Sequence, residues 1–143
     1  MYSFDIQRPT SIADAVAALG TDEALPLGGG QTLIPTLKQR LSAPSVLVSL
    51  SGIAEMKGVC TNDDGALCIG GGTTHATVAR EATSYPGLAA LAAKTGDPAV
   101  RNRGTIGGSV ANNDPAADYP GAVVALGATV KTTKREIAGG DFF

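Results

Sequence analysis

Apolar positions recur at helical spacing twice in the first fifty residues, with short apolar runs between them. Ile12, Ala15, Val16 and Leu19 follow at three- and four-residue intervals after Thr10 and Ser11, either of which can cap a helix. Gly20 stands where such a helix stops. Leu33, Ile34, Leu37 and Leu41 form a second stripe opened by Gln31-Thr32, with Pro35 in the first turn, where its missing N–H costs little. Phe4 with Ile6, Ala24–Leu27 and Val46–Leu50 are short runs of strand type. The predicted order is β-α-β-α-β, a compact α/β unit.

The pattern changes near Ser51-Gly52. Met56–Thr61 and Ala66–Gly70 are strand-like and flank Asn62-Asp63-Asp64-Gly65, a hairpin signal. Val78–Ala82, Leu88–Ala93 and Ala122–Leu126 predict helices, and Ala128–Thr132 with Glu136–Ala138 predict a last strand pair. Gly96–Asn113 is polar and glycine-rich, with little period. The fold class expected is α+β, with sub-domains at residues 1–51 and 52–143.

Composition sharpens this picture at one point. Glycine supplies 19 of 143 residues, about twice its usual share of roughly 7%. Aromatics are few: three Phe, three Tyr and no Trp. Backbone, rather than side-chain bulk, is therefore expected to make the important contacts. A net charge of −2 with mixed signs gives no footprint for nucleic acid or anionic membrane. No apolar run reaches the ~20 residues of a membrane span, and the N-terminus lacks the basic and apolar regions of a secretory signal. Cys60 and Cys68 are too few for an iron–sulfur cluster and are expected as buried thiols flanking the hairpin, in a reducing cytoplasm. A disulfide between them is the second reading.

The glycines cluster. Ala24–Thr32 and Ala66–Thr74 agree at six of nine positions, including Gly28-Gly29-Gly30 and Gly70-Gly71-Gly72. The following segments do not match, so one local solution (strand, glycine turn, helix start) is used twice rather than repeated as a solenoid. A strand that passes through glycines into a helix start exposes unpaired N–H groups, the arrangement that suits phosphate. Gly28–Leu33 has this form, and so does Thr105-Ile106-Gly107-Gly108-Ser109, with a hydroxyl at each end. Neither segment is a Walker A loop, and neither matches the Rossmann glycine pattern. Each on its own reads more readily as a tight turn; the two together in one short domain make the cradle reading as good. Arg101 and Arg103 can add attraction for a pyrophosphate. Asp114 before Pro115 reads as a helix start, and Asp118 as a turn cap or as an acceptor for sugar hydroxyls. His75 is the single histidine; without a Cys, Asp or Glu cluster it is no metal site and reads as a packing or helix-end residue. No Ser–His–Asp arrangement or carboxylate pair is present, and no catalytic residue is expected.

Leu27-Gly28-Gly29-Gly30-Gln31-Thr32-Leu33-Ile34-Pro35 resembles the first FAD loop of the molybdenum hydroxylase flavoproteins, of the carbon monoxide dehydrogenase and xanthine dehydrogenase type. The run from Thr105 to Asp118 resembles their second loop and is the more specific match. Ile69–Ala79 and Thr132–Ile137 also look like this family, so the resemblance covers almost the whole chain. It implies a PCMH-type FAD-binding fold of two α/β sub-domains with the flavin between them. It implies FAD contacts from Leu27, Gly28, Gly29, Gly30, Gln31, Thr32 and Leu33, and from Thr105, Ile106, Gly107, Gly108, Ser109 and Asp118. It implies a medium subunit that passes electrons from an iron–sulfur small subunit, fed by a molybdenum-cofactor large subunit, through FAD to an external acceptor. Family members continue into a C-terminal domain, so the resemblance also implies a chain cut short, ending on Phe142 and Phe143 as a frayed apolar terminus. Two alternatives stand beside this reading: a non-catalytic remnant of such a domain, and a different PCMH-type oxidase or reductase, which attachment of flavin to His75 would favour.

Overall fold

The computed structural model describes all residues from Met1 to Phe143. The first part is built as the apolar pattern predicts. Strand β1 (Asp5–Gln7), helix α1 (Ile12–Ala18), β2 (Ala24–Leu27), α2 (Leu33–Lys38) and β3 (Val46–Ser49) follow in order. The three strands form a parallel sheet, β1-β3-β2, with Leu25 opposite Leu47 and Leu27 opposite Ser49. β3 is central and its Val46, Leu47 and Val48 are buried, the continuous apolar run expected of a strand covered on both faces. Val46 and Val48 pack with Ala15 of α1 and with Ile53. Alternation turns Leu47, fully buried, to the other face. Full burial of one such side chain stabilises by about 1.5–3 kcal/mol.

Ser11, of the two candidates, caps α1: its Oγ accepts from Asp14 N at 3.1 Å. Helix α2 is shorter than the apolar stripe implied. It stops at Lys38, Arg40 takes a positive φ, and Leu41 is exposed.

The second part contains two antiparallel hairpins, β4 (Val59–Thr61) with β5 (Leu67–Ile69) and β6 (Thr129–Lys131) with β7 (Glu136–Ala138). Between them lie α3 (His75–Glu81), α4 (Pro86–Lys94), α5 (Pro98–Arg101), α6 (Ile106–Asn112) and α7 (Asp118–Ala125). Val78, Ala82, Ala92, Val110 and Tyr119 form a second core cluster. Met56 lies in a 3-10 turn (Ala54–Met56) before β4, not in the strand. No helix is long and apolar enough to cross a membrane.

Three expectations are corrected. The stretch read as aperiodic, Gly96–Asn113, holds two helices, each started by a side-chain cap: Asp97 accepts from Val100 N and Thr105 from Gly108 N. Caps, not apolar period, define these short elements. The helix expected at Asp114-Pro115 begins instead at Asp118, because Asp114 Oδ1 accepts from Ala116 N and forms a turn. Cys60 and Cys68 are exposed free thiols, not buried ones. Alternation turns Leu67 and Ile69 onto the second cluster, and Cys68 between them faces out.

The C-terminal phenylalanines also differ. A 3-10 turn (Gly139–Asp141) brings Phe142 against the second cluster, with Phe143 edge-on to it at 5.1 Å between centroids.

Candidate functional site

The two sequence-alike glycine clusters have opposite hydrogen-bond accounts. After β2, none of the backbone N–H groups of Gly28, Gly29, Gly30, Gln31, Thr32 and Leu33 is donated to a backbone carbonyl, and no side chain accepts from them. The first bond of this segment is Ile34 N to Gly30 O, at 3.0 Å. β2 lies at the sheet edge, so nothing pairs with its continuation. Gly30 has φ +75°, a left-handed turn that bends this unpaired run into the start of α2. Such consecutive free donors make an anion cradle.

After β5 the same sequence pattern is closed upon itself. Gly70 N donates to Gly58 O (3.0 Å), Gly72 N to Met56 O (2.7 Å) and Thr73 N to Gly70 O (2.9 Å). A Cβ on Gly70 would meet Lys57 N at 2.8 Å. This cluster braces the fold and offers no comparable row of donors.

The predicted second loop is the first turn of α6. Ile106 N donates to Thr73 O (3.0 Å), Gly107 N to Gly71 O (2.9 Å), Gly108 N to Thr105 Oγ1 (3.1 Å) and Ser109 N to Thr105 O (3.0 Å). Its amides are thus already engaged. What it presents is an exposed Gly108, a half-buried Ser109 whose hydroxyl makes no protein hydrogen bond, and a bare glycine surface. Thr105 is buried and bridges to Thr74, while Ile106 packs into the second cluster.

Backbone contact joins the two segments. A Cβ on Gly29 would lie 2.6 Å from Gly104 Cα, and one on Gly28 would lie 3.3 Å from Thr105 Oγ1. A cleft of about 380 Å³ opens here, lined by Leu27–Gln31, Ile34, Pro35, Lys38, Ser49, Ser51 and Arg103. That volume lies at the low end of small-molecule sites, roughly 300–1,000 Å³. Its lining has two cations, Lys38 and Arg103, and no carboxylate. Lys38 escaped the sequence reading because it lies beyond the glycine motif; the only signal was its place in the last turn of α2. Of the two arginines anticipated, only Arg103 lines the cleft. Arg101 Nη1 is spent on Gly96 O at 2.6 Å.

Thr105–Ser109 and Asp118 are outside the lining of this cleft. Asp118 is exposed, at the first position of α7. His75 is buried and stacks on Tyr119, with Nδ1 3.2 Å from the Tyr119 hydroxyl. Burial lowers the His75 pKa from its usual 6.5 and raises that of Tyr119. A buried, stacked imidazole is a packing residue, which leaves the flavin-attachment reading of His75 without support. No group of three or more His, Cys, Asp or Glu side chains is placed to hold a metal.

The family described as "FAD binding domain in molybdopterin dehydrogenase" matches residues 2–143. Among curated relatives, the carbon monoxide dehydrogenase medium chain of Afipia carboxidovorans is 40% identical over 99% of this chain and 52% of its own length. The glyceraldehyde dehydrogenase medium chain of Sulfolobus acidocaldarius is 34% identical, over 98% and 52%. Among solved structures, a reconstituted CO dehydrogenase from Oligotropha carboxidovorans superposes with TM-score 0.89 at 37% identity, covering 96% of this chain and 51% of that one. Quinoline 2-oxidoreductase from Pseudomonas putida 86 superposes at 0.90 and 32%, covering 99% and 54%. The chain spans about half the length of the curated relatives it matches.

Proposed function

The chain belongs to the family of FAD binding domains in molybdopterin dehydrogenases, and from that premise we propose that it holds FAD as part of the flavoprotein subunit of a molybdenum-containing dehydrogenase. The observation that carries the residue assignment is the unbroken run of free N–H groups from Gly28 to Leu33. These donors are assigned to the pyrophosphate, whose charge Lys38 and Arg103 complement across the cleft. Arg103, Gly104 and Thr105 form the wall against which the first segment is set, and in this reading Gly107 and Gly108 offer the cofactor a bare backbone surface with the Ser109 hydroxyl as a donor. Asp118 is the acceptor for a sugar-chain hydroxyl. The same reading divides the chain at residues 51 and 52, with the cofactor shared between the parts.

FAD, when bound, supplies reversible uptake and release of electrons, and the protein supplies binding and orientation. In this reading the electrons arrive from an iron–sulfur small subunit, after substrate oxidation on a molybdenum-cofactor large subunit, and leave to an external acceptor. The assembly is cytoplasmic, and the substrate is chosen by the large subunit. No residue of this chain is assigned as an acid or base.

Titration of the folded chain with FAD, followed by flavin absorbance and fluorescence, tests the first part. Saturable one-to-one uptake is expected; a folded chain that takes up no FAD overturns it. Co-expression with small and large subunits tests the second part. A chain that binds FAD yet never co-purifies with either subunit overturns the relay role alone.

A further inference from the structure

We propose that Cys60 and Cys68 form a thiol–disulfide exchange site, whose co-substrate is a low-molecular-weight disulfide. The two cysteines are directly opposed across the β4–β5 hairpin. Both are exposed free thiols. Direct cross-strand partners project from the same face of a sheet, so the two thiols share the outward face, while Leu67 and Ile69 face the core.

The ladder sets their spacing. Gly70 N to Gly58 O at 3.0 Å and Asn62 N to Ala66 O at 2.9 Å mark hydrogen-bonded pairs on either side. By alternation Cys60–Cys68 is also a hydrogen-bonded pair, for which Cα atoms stand about 5.5 Å apart. Disulfides span about 4.4–6.8 Å between Cα atoms. Cβ atoms of such a pair stand near the wide end of about 4.5–5.5 Å, beyond the roughly 3.5–4.5 Å of a relaxed bridge. The hairpin therefore keeps the two thiols adjacent, and closing the bridge draws the strands together, which makes the bond strained and easily reduced. The register is fixed by the loop: Gly65 N donates to Asn62 O, Gly65 has φ +80°, and Asn62 Oδ1 accepts from Ala66 N at 2.7 Å.

The exchange balances as follows. One cysteine, as its thiolate, attacks the small disulfide RSSR, forms a mixed disulfide with the protein and expels one RS⁻. The second thiolate attacks the protein sulfur of that mixed disulfide and expels the other RS⁻. Two protein thiols are oxidised to one disulfide, RSSR is reduced to two RSH, and the two protons lost by the cysteines end on the leaving thiolates. An excess of RSH reverses both steps, and an exposed bridge is of the readily reversed kind. The bridge would pin β5, which runs directly into the Gly70–Gly72 turn that braces α6.

The test uses the full chain, reduced and then exposed to oxidised glutathione, with remaining thiols alkylated and intact mass and peptides read by mass spectrometry. The expected product is a monomer lighter by two hydrogens, with no alkylatable thiol and a Cys60–Cys68 cross-link, which an excess of reduced glutathione returns to two thiols. Cys60→Ser and Cys68→Ser should each stop at one stable glutathione adduct. A wild-type chain that ends as a glutathione adduct, as a disulfide-linked dimer, or with both thiols intact overturns the proposal.

Discussion

Replacing Gly29 by Ala tests the cradle at its tightest point. The residue does not have a positive φ, so the backbone alone permits alanine. The obstacle is steric: the new Cβ would sit 2.6 Å from Gly104 Cα and 2.7 Å from the Arg103 carbonyl carbon, both main-chain atoms that no rotamer change can move. Ordinary carbon contact is about 3.5–4.0 Å, so the two segments must part by about 1 Å. Overpacking of this kind costs about 1–3 kcal/mol, which in a domain of this size lowers Tm by roughly 2–4 °C per kcal/mol. The same 1 Å displaces donors from the positions a pyrophosphate would need. Losing one hydrogen bond to a charged group costs about 1.5–3 kcal/mol, equivalent to about 10–100-fold in Kd. Fluorescence titration with FAD and a thermal melt read the two effects separately. Gly121→Ala is the control: it is interior to α7, a Cβ there meets nothing within 4 Å, and it should raise stability by about 0.5–1 kcal/mol. Wild-type Kd and Tm for Gly29→Ala would refute the reasoning.

Thr105→Ala removes the cap that holds Gly108 N and should cost about 0.5–2 kcal/mol in urea unfolding, while Thr105→Ser retains most of it. Lys38→Ala and Arg103→Ala should each weaken FAD binding by roughly 2–10-fold at low salt, and less as salt screens these exposed charges. Stability should be flat well above pH 6.5 and fall as pH drops below it toward the lowered pKa of His75, because the unfolded chain takes up a proton that the buried imidazole refuses. The slope is at most about 1.4 kcal/mol per pH unit, and His75→Gln should remove it; a wild-type profile without that slope would contradict the burial argument.

How much of this was legible in the sequence depends on the kind of signal. The first five elements were, because parallel strands and amphipathic helices write their burial into apolar period, as Val46–Val48 and Ala15 show. The resemblance also carried the family and cofactor. Helix α5 was not visible and α6 only as a helix start at Thr105–Ser109, since each rests on one cap and on contacts distant in the chain, and Gly107 within α6 argues against helix by propensity alone. The different tasks of Gly28–Gly30 and Gly70–Gly72 were equally hidden. Near-identical residues end in opposite hydrogen-bond states because no chain pairs with the segment beyond β2, while the segment beyond β5 meets Met56 and Gly58. The cysteines were misread because a thiol is usually a buried group, and in a three-residue strand the face is decided by its neighbours.

The contact of Gly29 with Arg103 and Gly104 also bears on the order of events during synthesis. Chains leave the ribosome N-terminus first, and domains begin to fold as they emerge. The core of the parallel sheet is closed by residues up to Met56. The wall that meets Gly29 comes from residues that emerge much later, and closing so long a loop is slow. A nascent chain released after the Ala54–Met56 turn would therefore have its sheet and core but no complete cleft, and competence for the cofactor would arrive only when α5 and α6 dock.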